Sequence, residues 1–385
     1  MVDLVKSAGE RASRFFGKSG VDWVMLSAAL TLGLFGLVTM NSFNGDNYYF
    51  VRQIIWICLS VGVFFGASLI DWSFLRRTQA LTALYAAMVA LLAVLFIAAR
   101  AVKGAHSWLQ FGLVSFEPMD VAKLVLVFVL AKYFSKRHIE IANVRHIIVS
   151  GTYALILFVL IALQPNLGAA VVVGCIWLGM VLVSGISKKH LFAIFAIAIV
   201  SFALLWNFGF KEYQKERIVS FINPAADVQG SGYNARQSTI AIGSGEVFGK
   251  GIGYGTQSKL KFLPEYQTDF IFAAFAEEWG LVGVIIMFSV FGVLIWRIIA
   301  NARRGATNFE IFAGLGIAVM FMSHFFINAG MNMGLLPVTG ITLPFVSYGG
   351  SHLATSFLAL GILQSYRKSM RAVHKEETKH EFVGI

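Results

Sequence analysis

Long apolar runs separated by short polar segments make up most of this chain. A helix needs about 20 mostly apolar residues to cross the hydrocarbon core of a bilayer, and a helix satisfies its own backbone hydrogen bonds there. The runs of that length cover residues 22–41, 51–70, 80–99, 118–135, 146–163, 167–184, 190–208, 272–296, 309–331 and 349–366. The pattern therefore predicts an all-α polytopic membrane protein, with about ten transmembrane helices in a single domain over residues 22–366.

The polar segments between the runs differ in charge, because basic residues gather at both ends and in every second connection. These residues are Lys6, Arg11, Arg14, Lys18, Arg76, Arg77, Lys132, Lys136, Arg137, Arg145, Lys188, Lys189, Arg297, Arg303, Arg304, Arg367, Lys368, Arg371 and Lys375. Cytoplasmic loops are the ones enriched in Lys and Arg. The N-terminal segment 1–21 and the C-terminal tail 367–385 are therefore predicted to be cytoplasmic. The first run lacks a small-residue cleavage pattern, which indicates a retained helix.

Composition agrees with a membrane protein. Hydrophobic residues make up 57% of the chain and charged residues 13%, whereas soluble proteins average about 25% charged residues. The net charge of +11 is spread between apolar runs and does not line one face, so membrane topology explains it and no nucleic-acid partner is expected. Cys58 and Cys175 lie within apolar runs and imply neither a disulfide nor a thiolate metal site.

One predicted outer connection, residues 209–268, is too long for a simple turn, and long loops are usually functional or disordered. Its Gly-rich part, residues 243–255, reads GSGEVFGKGIGYG. A Walker phosphate loop is excluded because Gly249-Lys250 is followed by Gly251 instead of Ser or Thr. Two interpretations stay open: tight turns with close backbone approach to the membrane surface, or a backbone cradle for a pyrophosphate group.

Asp269 stands where this connection enters the next apolar run. An ionisable group at the edge of a span indicates function by default, but Thr268 or Asp269 could instead cap the helix N-terminus. A helix that begins at Asp269 would carry Glu277 and Glu278 about 12 Å further along the span. Alternatively, the true span begins near Trp279, and residues 270–278 lie at the interface.

Other polar residues at span edges are not specific by themselves. Asp120 and Lys123 are three residues apart and could pair on one helix face. His324 is interpreted as a hydrogen-bonded packing residue, and Trp108 as a member of the interfacial aromatic belt.

Several short motifs occur in a characteristic order. They are Ala241–Gly245 (AIGSG), Gly249–Gly251 (GKG), Gly255–Gln257 (GTQ), Phe262–Glu265 (FLPE), Thr268–Phe272 (TDFIF), Pro337–Pro344 (PVTGITLP) and Ser347–Ser351 (SYGGS). Over nearly the whole chain, this series resembles the SEDS family of shape, elongation, division and sporulation proteins, and its RodA elongation branch more than its FtsW division branch.

The resemblance implies a peptidoglycan glycosyltransferase in the bacterial cytoplasmic (inner) membrane. Such an enzyme polymerises lipid II at the outer face, releases polyprenyl diphosphate, and works with a class B penicillin-binding protein and other elongation-complex membrane proteins. Asp269 is then the catalytic residue, which we interpret as the general base. The candidate substrate-binding residues are Trp108, Lys123, Asp120, Glu117, Arg52, Arg217, Lys250, Gln257 and Glu265. A divalent metal (Mg or Mn), or Arg217, Arg236, Lys250 and Lys123, would offset the diphosphate charge, and no organic cofactor is expected.

Three departures from the family pattern concern the binding pocket, and one of them is that His106 and Ser107 precede Trp108 where the family often has a basic residue. The family typically reads Gln-Pro-Ser-Glu where this chain has Glu117-Pro-Met-Asp120, and it reads Asp where this chain has Asn166. Two rival functions also remain open. A flippase for a lipid-linked precursor would use the intramembrane charges to line its path, and a non-catalytic scaffold would tolerate changes at Asp269.

Overall fold

A computed structural model describes residues 20–42, 48–98, 109–111, 114–137, 144–223, 227, 230–260 and 262–381. Nearly all of these residues are helical. The helices are α1 (Trp23–Asn41), α2 (Tyr48–Leu69), α3 (Thr78–Ala98), α4 (Pro118–Arg137), α5 (Val144–Leu163), α6 (Leu167–Val183), α7 (Lys188–Phe208), α8 (Glu212–Ile222), α9 (Ser231–Ser244), α10 (Thr256–Lys259), α11 (Ile271–Ala302), α12 (Asn308–Asn332) and α13 (Gly350–Glu381). A 3-10 turn spans Trp72–Arg76, and an antiparallel hairpin pairs β1 (Leu109–Phe111) with β2 (Val114–Phe116).

Each apolar run found in the sequence coincides with one of these helices. Within the described ranges, seven helices are long and apolar enough to cross a membrane, namely α1, α2, α3, α5, α7, α11 and α12. The helix α6 is shorter, at 17 residues, whereas α4 carries charged residues at both ends and α13 continues into a charged segment as far as Glu381. The chain is thus a multi-pass membrane protein.

The long connection 209–268 differs from a plain loop because it contains α8, α9 and α10. The helix α9 packs against α11 and α12, and a small apolar cluster of Ala241, Leu263, Phe270 and Ala273 joins it to the start of α11. The sequence did not reveal these helices, since α8 and α9 are short and too polar to stand out beside the apolar runs.

The helix α11 is broken at Gly280, which has φ 65° and ψ −167°. Residues 271–279 form a first helical segment, and the apolar residues 281–302 would extend for about 33 Å, enough to cross a bilayer alone. This geometry favours the interpretation in which the span begins near Trp279. Glu277 and Glu278 lie in the first segment, where both are buried.

Packing surrounds the first segment of α11 with protein. The helix pairs with the most extensive contacts are α2 with α13, α4 with α12, and α1 with α11. One continuous cluster of buried apolar residues links these helices. In contrast, α7 has no buried residue.

Candidate active site around Asp269

Asp269 lies in a tight turn just before α11. The main-chain oxygen of Glu265, whose φ is 48°, accepts hydrogen bonds from the N–H groups of Thr268, Asp269 and Phe270 at 3.1, 3.1 and 3.2 Å. The N-cap position is occupied by Phe270, whose side chain makes no cap hydrogen bond. Neither Thr268 nor Asp269 therefore occupies the N-cap position of this helix.

Two asparagines of α12 hold this turn from inside the protein. The side-chain amides of Asn328 and Asn332 each donate to the main-chain oxygen of Asp269 at 2.9 Å. The other face of Asn332 is also used, because its Oδ1 accepts from the N–H of Ala273 and the hydroxyl of Ser238, both at 3.3 Å. Both asparagines are fully buried.

Sequence reasoning missed this pair, although a signal was present. Asn328 and Asn332 are four residues apart in an apolar span, so they share one helix face, and polar groups inside a span are costly without partners. Each asparagine stands alone between apolar residues, however, and its partner is a main-chain oxygen that no motif identifies.

The segment between α12 and α13 closes the other side of the turn. The Ser347 hydroxyl donates to the main-chain oxygen of Thr268 at 2.6 Å, and the N–H of Tyr348 donates to that of Gln267 at 2.8 Å. Gly340 has φ 73°, and a Cβ added there would lie 3.4 Å from Oδ2 of Asp269. The Asp269 carboxylate therefore lies against the glycine turn of the PVTGITLP motif.

Glu117 lies near this carboxylate, at the connection between β2 and α4. Its N–H donates to the Ser351 hydroxyl at 3.0 Å, and the Asn166 amide donates to its Oε1 at 3.2 Å. Burial raises the pKa of Glu117 to about 8, and the negative charges of Asp120 and Asp269 also raise it. Glu117 and Asp269 are called the acidic pair below because each lies within electrostatic range of the other, and the raised pKa favours the protonated form of Glu117.

A buried polar chain extends from this pair into the membrane domain. Lys123 and Asp120 form an ion pair with 2.8 Å between Nζ and Oδ1, as their spacing predicted. Lys123 Nζ also lies 3.1 Å from Nε2 of His324, and His352 Nδ1 lies 3.2 Å from Asp120 Oδ1. Because Nδ1 of His324 faces the main-chain oxygen of Thr342 at 3.4 Å, Nε2 is the acceptor for Lys123. The prediction that His324 is a hydrogen-bonded packing residue is confirmed.

Lys250 and Gln257 are brought to Glu277 and not to Asp269. Oε1 of Glu277 accepts from Lys250 Nζ at 2.7 Å and from the main-chain N–H groups of Thr256 and Gln257 at 2.9 and 3.2 Å. Glu277 comes eight residues after Asp269, which corresponds to about 12 Å along a helix. The sequence grouped all these residues into one site, whereas the fold separates them into two.

The Gly-rich stretch forms main-chain hydrogen bonds with α11 on both sides of its break at Gly280. The N–H groups of Lys250 and Gly251 donate to the main-chain oxygens of Glu277 and Glu278, both at 3.0 Å. In return, Leu281 and Val282 donate to those of Glu246 and Val247 at 3.0 and 3.1 Å.

The glycines of this contact allow very close approach, since a Cβ added at Gly280 would lie 2.2 Å from the nitrogen of Gly249. Of the two interpretations of this stretch, close backbone approach is the one observed, although the partner is α11 and not the membrane surface. The N–H groups of Lys250, Gly251 and Tyr254 donate to main-chain oxygens, and that of Gly253 donates to Oε1 of Glu278 at 3.1 Å, so these four donors are bonded to protein.

The remaining candidate residues are more scattered. The Arg52 guanidinium lies 4.2 Å from the centre of the Tyr48 ring, beside Gln53, whose amide donates to the main-chain oxygen of Ser347 at 3.2 Å. Arg217 is on α8, and Arg236 is exposed on α9. Trp108 lies outside the described residues. Glu265 supplies the main-chain oxygen of the Asp269 turn, and its carboxylate accepts from the Thr268 hydroxyl at 3.2 Å.

The candidate site was predicted to hold a divalent metal ion. Among the described residues, no three His, Cys, Asp or Glu side chains are placed to hold an ion. Mg²⁺ is, however, commonly bound through one or two carboxylates together with substrate phosphates. Glu117 and Asp269, whose charges act on each other, supply the two carboxylates that such a shared site would use.

The fold and this site define a multi-pass membrane protein in which two half-buried carboxylic acids, Glu117 and Asp269, lie near a helix entrance with a buried lysine and two histidines. The sequence model of the cell cycle protein family of FtsW, RodA and SpoVE matches residues 21–372. The chain belongs to this family.

Relatives and solved structures agree with that membership. Peptidoglycan glycosyltransferase MrdB of Escherichia coli K12 is 37% identical over 277 residues, which cover 71% of this chain and 74% of that protein. The probable peptidoglycan glycosyltransferase FtsW of Hahella chejuensis is 34% identical over 375 residues, which cover 94% and 93%.

Among solved structures, a chain from a peptidoglycan synthase complex that coordinates polymerization and crosslinking matches with a TM-score of 0.78 and 29% identity, over 91% of this chain and 98% of that one. The rod shape determining protein RodA of Thermus thermophilus matches with a TM-score of 0.66 and 28% identity, over 90% and 97%.

Proposed function

We propose that this chain polymerises peptidoglycan by transferring glycan chains onto lipid II with release of polyprenyl diphosphate, for cell elongation, and that Asp269 is its general base. The class of enzyme, a peptidoglycan glycosyltransferase, is that of its relatives MrdB and FtsW. The observation that carries the residue assignment is the position of Asp269. Its main-chain oxygen is held by two buried amides, and its carboxylate lies beside Gly340 and Glu117.

The reaction joins an acceptor sugar hydroxyl to the anomeric carbon of the glycan chain. As the new bond forms, the bond from that carbon to the polyprenyl diphosphate breaks, and Asp269 takes the hydroxyl proton. A base placed within hydrogen-bond reach contributes typically 10²–10⁴-fold to such a step. Two features support this role: the turn around Asp269 is fixed on both sides, and the position at a span entrance suits a substrate whose lipid tail stays in the bilayer.

The departing diphosphate needs positive charge. Lys123 is a cation of the described residues whose charge acts on Glu117. A magnesium or manganese ion would be held by Glu117 and Asp269 together with the diphosphate, and would stabilise its charge. Arg217 on α8 and Arg236 on α9 would offset the diphosphate charge only if these helices moved substrate towards Asp269. Lys250 is paired with Glu277 instead.

We place the enzyme in the bacterial inner membrane with about ten spans, both termini in the cytoplasm, and Asp269 facing outward. The alternation of basic connections supports this orientation. A class B penicillin-binding protein is the proposed partner, together with other elongation-complex proteins. A structural neighbour in a complex of polymerization and crosslinking supports that pairing.

The test compares purified wild type with Asp269→Asn, using labelled lipid II, divalent metal and gel analysis of glycan length. We expect polymer from wild type and a loss of at least 100-fold in the variant. Glu212→Gln is the matched control, because it changes an acid to an amide at an 83% exposed side chain of the same outer segment. Equal polymer from wild type and Asp269→Asn would refute the catalytic assignment.

A second measurement separates the enzyme from the flippase. Translocation of labelled lipid II is followed in proteoliposomes that contain wild type or Asp269→Asn. Translocation in both proteins, without polymer from wild type even when a class B penicillin-binding protein is added, would favour the flippase.

A further inference from the structure

A cavity of about 190 Å³ opens between α3, α4 and α5, far from Asp269. Lys132 and Lys136 line it, and they follow Pro118, at the Glu117 end of α4, by 14 and 18 residues. That spacing puts them roughly 20 Å or more along the helix axis. The cavity therefore lies towards the opposite membrane surface from the acidic pair.

The walls of the cavity are mainly apolar and aromatic. Leu81 and Val129 line it together with Tyr85, Tyr133 and Tyr153. The Tyr85 hydroxyl already donates to the main-chain oxygen of Tyr153 at 2.8 Å, and that of Tyr133 is 2.9 Å from Nδ1 of His146. These tyrosines therefore contribute mostly ring surface, which suits a hydrocarbon group.

The rim of the cavity is basic. The Lys132 ammonium donates to the main-chain oxygen of Arg76, and that of Lys136 lies 3.5 Å from the hydroxyl of Thr78. The Arg76 guanidinium is itself paired with Glu310. In the described ranges, no carboxylate lies within ion-pair distance of Lys132 or Lys136. Two ammonium groups therefore line the cavity rim, and no carboxylate of the described residues pairs with them.

We propose that this cavity binds an anionic phospholipid, with its phosphate at Lys132 and Lys136 and the start of an acyl chain against Leu81, Val129 and the tyrosines. Basic pockets between transmembrane helices at the cytoplasmic surface are typical sites for anionic head groups, and ammonium–phosphate hydrogen bonds are charge-assisted. Assignment to the cytoplasmic leaflet rests on the proposed orientation, but binding itself does not.

The experiment is native mass spectrometry of the purified full chain, titrated with phosphatidylglycerol or with phosphatidylcholine of the same acyl chains. Removing one surface cation weakens anionic-lipid binding by about fivefold. The double variant Lys132→Gln with Lys136→Gln should therefore lose about 25-fold in phosphatidylglycerol affinity while phosphatidylcholine binding stays constant. Lys188→Gln with Lys189→Gln is the matched control, since both lysines are exposed at the start of α7, and it should change affinity less than twofold.

A second pair of variants tests the cavity without changing charge. Thr82 lines the cavity, whereas Thr152 is an exposed residue of α5 outside its lining, and both hydroxyls donate to the main-chain oxygen four residues earlier. Thr82→Trp should fill the cavity and abolish the tight phosphatidylglycerol adduct, whereas Thr152→Trp should retain it.

Three results would overturn the proposal. The first is an unchanged affinity in the Lys132 and Lys136 double variant, and the second is an equal loss in the Lys188 and Lys189 control, which would indicate general surface attraction. The third is displacement of the lipid by millimolar inorganic phosphate together with full binding to Thr82→Trp, which would indicate a site for free phosphate.

Discussion

The side-chain amide of Asn332 donates to the main-chain oxygen of Asp269 at 2.9 Å, across 63 residues of sequence. Asn328 makes the same contact from one turn earlier. The proposed base is thus positioned through its backbone by α12, and not by groups on its own helix. A displacement of about 1 Å of a catalytic group can lower the rate about 100-fold.

Asn332→Ala should therefore lower kcat for lipid II polymerisation by about 10- to 100-fold, with a small change in KM. Loss of the buried amide should also cost about 1–3 kcal/mol of stability. Asn301→Ala provides the control, because Asn301 is equally a buried amide and donates to Asp22 at the other end of α11. Steady-state kinetics give kcat and KM for Asn332→Ala and for Asn301→Ala. A similar fall in kcat in both would mean that Asn332 acts through stability alone.

The ion pair of Lys250 and Glu277 should hold the Gly-rich stretch on α11. Lys250→Met would leave the fully buried Glu277 carboxylate without its cation and should destabilise the protein by about 2 kcal/mol. The double variant with Glu277→Gln should recover part of that loss. Thermal unfolding measures the loss of stability, and limited proteolysis of residues 246–260 measures the release of the Gly-rich stretch. Lys215→Met is the control, because Lys215 forms an exposed pair with Glu212, and it should change stability by less than about 0.5 kcal/mol. Additive single effects in the cycle would argue against the pair.

The break in α11 depends on Gly280. Alanine there would be strained at φ 65°, and its Cβ would lie 2.2 Å from the nitrogen of Gly249. Strain and overpacking of about 1–3 kcal/mol each predict a loss of about 2–6 kcal/mol. Gly292→Ala, in the same helix with open space at its Cβ, should stabilise by about 0.5–1 kcal/mol. Apparent Tm values of the two variants compare them directly, and a tolerated Gly280→Ala would mean that α11 can straighten.

The raised pKa of Glu117 predicts a pH-dependent metal requirement. With a pKa of about 8 in the folded protein, Glu117 is mostly protonated at pH 7 and mostly ionised at pH 9. Because a proton competes with a metal ion for a carboxylate, half-maximal activity should need about tenfold more Mg²⁺ at pH 7 than at pH 9. Chelation should abolish activity at both pH values.

The control for this prediction is Glu117→Gln, which keeps the shape of the side chain. It should raise the Mg²⁺ requirement and remove its dependence on pH between 7 and 9. A wild-type requirement that does not vary with pH would place any metal elsewhere.

The sequence alone determined where the long helices lie. Ten apolar runs coincide with helices because membrane-spanning backbone must bond to itself, so hydrophobicity and length suffice to locate it. The sequence also predicted the pairing of Asp120 with Lys123, since two charges three residues apart on a helix can meet without long-range contacts. Asp269 was selected by the resemblance of its motif to the family, and its catalytic role stays a prediction.

Only the tertiary structure decided what surrounds Asp269. The amides of Asn328 and Asn332 reach a main-chain oxygen, and Glu117 approaches from a connection more than 150 residues earlier in the chain. Lys250 and Gln257 are closer to Asp269 in sequence, yet the break at Gly280 draws them to Glu277 instead. Local patterns set which segments are helical, but the partners of each polar group depend on how helices distant in sequence pack together.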